Sequence, residues 1–156
     1  MNTPPPPLQF PSGVQPPAGD HHVLTLPWAR PFKSLTGNTR AGHWAPRSRD
    51  AREVREVVAL LARSARLQPC TFLTVRLRWA PGDRRRRDED NLVAFAKPMA
   101  DALGRGRKDW IGLDLVPDDT KEWMAKLTPA IIDPPARGMW LDVWTYGPPW
   151  TREGAA

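Results

Sequence analysis

A mixed α/β domain of order β-α-β-α-β-β, with its helices packed on the sheet, is the fold class this sequence predicts. Three observations carry it. Leu73, Val75, Leu77 and Trp79 alternate with Thr74, Arg76 and Arg78, the period of a strand with one buried face. Before them, Val54, Val57, Val58, Leu61 and Ala65 recur at helical spacing, while Arg49, Arg52, Arg55, Arg63 and Arg66 fall on other faces. After them come a second helical stretch and two more strand patterns, so helices cross between strands and a hairpin closes a mixed sheet.

In chain order, His21 to Leu26 (HHVLTL) forms a short strand that Pro27 ends. PFKSLTGNTRAGHWAP mixes turn formers with Lys33, Arg40, His43 and Trp44 and reads as a long loop, of a length that often carries function. Ser48 is the candidate N-cap of the first helix, which stops before Pro69. The central strand breaks at Pro81-Gly82-Asp83. Asp90 or Asn91 can cap the next helix, LVAFAKPMADAL, in which Pro98 has no amide to bond Ala94, so a kink or restart is expected there. Residues 104–120 are a loop, and strands follow at about 121–132 and 138–146. The last sets Met139, Leu141 and Val143 against Trp140, Asp142, Trp144 and Tyr146.

With 156 residues the chain has room for one domain, expected over residues 21–148. Residues 1–20 are dense in proline with Asp20 as the one charged side chain, and read as a disordered, partly polyproline leader; residues 149–156 read as a flexible tail. Lys plus Arg total 23 against 17 Asp plus Glu, a net charge of +6 weighted toward arginine, whose fork suits phosphate oxygens. Compositional bias toward Arg, Ala, Gly and Pro explains much of the global excess but not a local cluster. Cys70 is the one cysteine, which leaves no intrachain disulfide or thiolate zinc site. No apolar run is long enough for a bilayer and the proline-rich start lacks a secretory pattern, so a cytoplasmic protein without membrane partners is expected. Neither a P-loop nor a Gly-rich dinucleotide fingerprint is present, and no nucleotide cofactor is expected.

The chemistry concentrates in residues 84–97, RRRRDEDNLVAFAK. Arg84, Arg85, Arg86 and Arg87 form a phosphate-binding run that leads into Asp88 and Asp90. On extended backbone, those two side chains point to the same side. Pro117-Asp118-Asp119 offers a third carboxylate. Acidic groups held together in a basic field are costly unless they share a cation, and Mg2+, with Mn2+ as a substitute, takes such oxygens while keeping water and phosphate ligands. Lys97 supplies a point charge for a transition-state phosphate or helps to orient the attacking water. The natural reaction is phosphodiester hydrolysis.

The run Asp83 to Leu92, Lys97 four residues before Asp101-Ala102-Leu103, and Pro117-Asp118-Asp119 together resemble the RusA family of Holliday junction resolvases, common in phages and prophages. LTLPW at 24–28 and the helix near 48–66 fall in the same order, so the resemblance covers most of residues 22–146. It implies a RusA-like fold and a homodimeric, magnesium-dependent endonuclease that makes paired nicks in branched, four-way DNA. By position it implies Asp88, Asp90 and Asp119 as metal ligands, with Asp118 the rival of Asp119 by a one-residue slip, and Lys97 as the family lysine. Two departures stand out: Lys97 lies six residues after Asn91 where the family's best-known form has three, and residues 104–115 form an insertion carrying Arg105, Arg107 and Lys108.

Other readings of the same residues stay open. Asp88 or Asp90 serves equally as a helix cap, Asp118 and Asp119 as turn residues, and Asp101 as an i, i+4 partner of Lys97. A nuclease of the same fold that acts on flaps or forks, and a non-catalytic basic DNA-binding accessory protein, are the alternative functions.

Overall fold

The computed structural model describes residues 4–36, 44–108, 110 and 112–151. The chain runs β1 (Asp20–Thr25), α1 (Trp44–Ser64), β2 (Phe72–Ala80), α2 (Val93–Leu103), β3 (Met124–Lys126), β4 (Ala130–Ile131) and β5 (Gly138–Tyr146), with 3-10 turns at Lys33–Leu35 and Glu89–Leu92. The five strands make one mixed sheet of order β1-β5-β2-β3, with β4 also on β2. β5 is antiparallel to both β1 and β2, whereas β3 and β4 run parallel to β2. This is a mixed α/β domain with two α-helices among the described residues.

Strand alternation decides the two faces. Leu73, Val75 and Leu77 of β2 stand beside Val143 and Leu141 of β5 and pack under Val54, Val58 and Ala62 of α1 and Phe95, Met99 and Leu103 of α2. Burial of that apolar layer, at about 25 cal/mol per Å2, is the main force holding the helices to the sheet. Phe95 also pins the start of α2, lying 5.8 Å from the Trp28 ring and 5.7 Å from Phe32. The opposite face carries Thr74, Arg76 and Arg78 of β2 and Trp140, Asp142 and Trp144 of β5, all buried although no helix covers them.

Several expectations need correction. The closing hairpin is not formed: β5 inserts between β1 and β2, and the stretch expected as one strand over 121–132 is two short pieces that both pair with β2. Pairing partners are set by non-local burial, which periodicity does not encode. α1 begins at Trp44, so Ser48 lies inside it, and Pro46 sits in its first turn, where a missing amide costs no helical bond. Pro98 neither ends nor restarts α2, which is assigned without interruption from Val93 to Leu103.

The proline-rich leader, read from composition as disordered, has neither helix nor strand over residues 4–18, but it is seated on the helix-free face. Of the tail, Trp150 is anchored, its indole donating to Asp114 O at 2.8 Å; residues 152–156 lie outside the described residues, as does His43 of the long loop. No helix among the described residues is long and apolar enough to cross a membrane.

Candidate active site

Two neighbouring groups of side chains hold the residues singled out in the sequence. The first begins where β2 ends. Pro81-Gly82 turns the chain with φ +86° at Gly82, and a Cβ there would stand 2.6 Å from Arg137 Nε, so glycine is required twice over. Asp83 then accepts from the Arg85 amide at 3.0 Å and from Arg87 Nη2 at 3.1 Å. Those bonds hold the Asp83 carboxyl well below the usual carboxylate range, Arg87 contributing most. The Arg87 guanidinium also lies 5.0 Å over the Trp79 ring. Arg87 is therefore committed to shaping the loop, while Arg84, Arg85 and Arg86 are exposed and make no ion pair among the described residues.

Asp88 is extended, at φ −99° and ψ 123°, and its Oδ1 accepts from the Asp90 amide at 3.0 Å, capping the turn Glu89–Leu92. Asp88, Glu89 and Asp90 then line an open recess of about 710 Å3 together with Arg86, Arg87 and Ile131. Two arginines of the run, Arg86 and Arg87, thus share one cleft with its acids.

The second group forms where α2 meets the loop before β3. Lys97 and Asp101, one helical turn apart, pair at 3.4 Å. Lys97 Nζ is also 3.6 Å from Asp119 Oδ2, and Lys126 Nζ at the end of β3 donates to that same oxygen at 2.8 Å. Gly104, just past the end of α2, lies against the Asp118–Asp119 backbone, where a Cβ would stand at an ordinary contact distance of 3.5 Å. Asp118 Oδ1 accepts from the Asp119 amide at 2.8 Å.

Asp101 and Asp119 lie within hydrogen-bonding reach of each other and are held apart in acidity. The Lys126 hydrogen bond, with further attraction from Lys126 and Lys97, lowers Asp119 to about 2. Burial raises Asp101, and Asp119 beside it adds to the rise, against the pull of Lys97. A carboxylate pair rimmed by two ammonium groups is an arrangement able to hold a phosphate next to an anionic acceptor.

The structure brings Lys97 to Asp119, with Asp101 and Lys126 beside them. Asp101 was legible as the i, i+4 partner of Lys97 but not as a neighbour of Asp119. Lys126 carried no sequence signal; the parallel register that sets it opposite Val75 places it. Asp88 and Asp90 are not joined to Asp119. Among the described residues no three His, Cys, Asp or Glu side chains are grouped closely enough to hold a metal ion. The donors are hard oxygens of the kind Mg2+ prefers.

The insertion is clipped to α1 by a stack: the Trp110 ring lies 4.7 Å from the Arg55 guanidinium and 4.8 Å from that of Arg107. Arg105, Arg107 and Lys108 are all exposed, Arg107 while stacked on the Trp110 ring. Comparison of the chain with protein-family models gives no match, and comparison with curated proteins gives none either.

Proposed function

We propose that the protein is a structure-selective DNA endonuclease of the RusA type, acting on four-way junctions as a homodimer and requiring Mg2+. The observation that carries this reading is the 3.6 Å approach of Lys97 Nζ to Asp119 Oδ2, from segments 22 residues apart, with the Asp101 carboxylate 3.4 Å from the same ammonium. Arg84, Arg85 and Arg86 hold backbone phosphates, and Lys97 sets a positive charge beside Asp119, where charge on a reacting phosphate would grow. Asp88, Asp90 and Asp119 are the expected ligands of the ion, with Mn2+ its substitute. A two-fold dimer matches the symmetry of a junction and presents two sites to opposed strands.

A second reading, a non-catalytic basic DNA-binding module, is favoured by two observations: Asp88 is engaged as a cap, and no three His, Cys, Asp or Glu side chains are grouped to hold a metal ion among the described residues. Cleavage of a labelled four-way junction beside a matched linear duplex, with Mg2+ and with EDTA, separates the two. The nuclease reading expects magnesium-dependent paired nicks in the junction, lost in Asp90→Asn with binding retained. Tight binding without cleavage under any divalent ion selects the binding module instead.

A further inference from the structure

Arg76 and Arg78 are successive residues on the helix-free face of β2, 6% and 1% exposed, and one carboxylate answers both. Arg78 Nη2 donates to Asp142 Oδ1 at 2.9 Å, and its Nε stands 2.6 Å from Oδ2 as an ion pair without hydrogen-bond alignment. Arg76 Nε is 4.0 Å from that oxygen, and His21 Nε2 lies 2.8 Å from Asp142 Oδ1. Donors outnumber acceptors, and buried donors without acceptors are costly.

Residues 6–10 supply two further acceptors, while Arg76 Nε and Nη2 and Arg78 Nε keep no hydrogen-bond partner. Arg78 Nη1 donates to Pro6 O at 2.6 Å, Arg76 Nη1 donates to Gln9 O at 3.1 Å, and the Phe10 ring lies 4.3 Å from the Arg76 guanidinium and 6.3 Å from Trp144. Pro6, Leu8 and Phe10 are half-buried while Pro7 and Gln9 are exposed, the alternation of an extended segment laid on a surface. A proline-rich segment suits this place because its prolines bring no amide donors and its extended backbone leaves the carbonyls free. Gly19 then lets the chain cross the end of β5, since a Cβ there would meet Thr145 O at 2.7 Å. Further along the segment contact loosens: a groove of about 690 Å3 remains between Phe10 and Val14 on one side and Thr74, Arg76 and Ile131 on the other.

We propose that the helix-free sheet face is a binding surface for an extended proline-rich segment, recognised through its carbonyls by Arg76 and Arg78 and through one aromatic ring, and that its resident occupant is the chain's own residues 4–17. The segment is an intramolecular ligand that a peptide of the same sequence can replace.

The test uses the full chain. Cys70 is buried, so a nitroxide on Ser12→Cys labels an exposed position of the segment. The label is expected to broaden amide signals of residues 74–78 and 140–144 within the same molecule, and to lose that effect in Phe10→Ala. A fluorescent peptide of residues 4–17 is expected to bind full-length Phe10→Ala at least tenfold more tightly than wild type, whose surface is occupied, and to lose at least tenfold when Arg76→Gln is added. Absence of broadening in the wild type, or equal peptide binding by wild type and Phe10→Ala, overturns the proposal. So does broadening that appears only between labelled and unlabelled molecules in a mixture, which assigns the face to a second copy.

Discussion

Two groups of acids and cations differ in stoichiometry and exposure, and the difference separates a structural network from a candidate site. Around Asp142 a single carboxylate, fully buried, faces two arginines and a histidine, and a strap of chain seals the group. Around Asp119 two carboxylates, 14% and 20% exposed, face Lys97 and Lys126 at 64% and 41%. The first cannot lose its anion without stranding buried charge. The second is open to solvent at its cationic rim, so its members can be exchanged without taking the fold down, and its lysines can turn to another anion.

The largest effect expected from that contrast is Asp142→Asn. Leaving Arg76 and Arg78 uncompensated costs about 3–5 kcal/mol, read from denaturant unfolding. A loss below 1 kcal/mol would erase the distinction. Next is Lys97→Ala, expected to slow junction cleavage on the order of 100-fold while the unfolding midpoint stays near wild type, because it removes a charge from the rim and not from the core. A stability loss as large as that of Asp142→Asn would make Lys97 structural.

Replacing Arg84, Arg85 and Arg86 together by alanine is expected to flatten the dependence of log affinity on log salt by about 2.7, at roughly 0.9 per phosphate contact. Arg87→Ala tests the opposite role: it should change the slope less and disturb the Asp83 loop more, since its guanidinium is held by Asp83 and Trp79.

The smallest effect concerns acidity. Asp119 is held at about 2 by Lys126, below the ordinary value of about 3.9, so its contribution to stability is complete above that value and is lost as pH falls through about 2. Asp101 has the opposite sign: its raised pKa makes the ionised form a cost, which protonation in acid relieves. Lys126→Met should therefore raise the Asp119 titration seen by carbon NMR and cost about 0.2–1 kcal/mol above pH 4, fading toward pH 2.

Much of the frame was legible because it is local. β1, β2, β5 and the helices follow from periodicity, and Lys97 with Asp101 from helical spacing. What was not legible is non-local: β5 between β1 and β2, β3 and β4 as separate short pieces, and Lys126 beside Asp119. Arg76 and Arg78 alternate with apolar residues as a solvated face would. They are buried because a segment 67 to 72 residues away in sequence lies over them. The run of four arginines was read as one unit, yet a carboxylate four residues before Arg87 sets that residue apart from the other three. Asp88 was read as both ligand and cap, and the cap is what its hydrogen bond shows.

The most direct measurement is Asp119→Asn, assayed in one preparation for unfolding midpoint, junction affinity and junction nicking with Mg2+. A functional site at Asp119 predicts an unfolding midpoint close to wild type, affinity unchanged within about twofold, and nicking reduced on the order of 100-fold or more. Nicking at the wild-type rate, or loss of the fold, would contradict it.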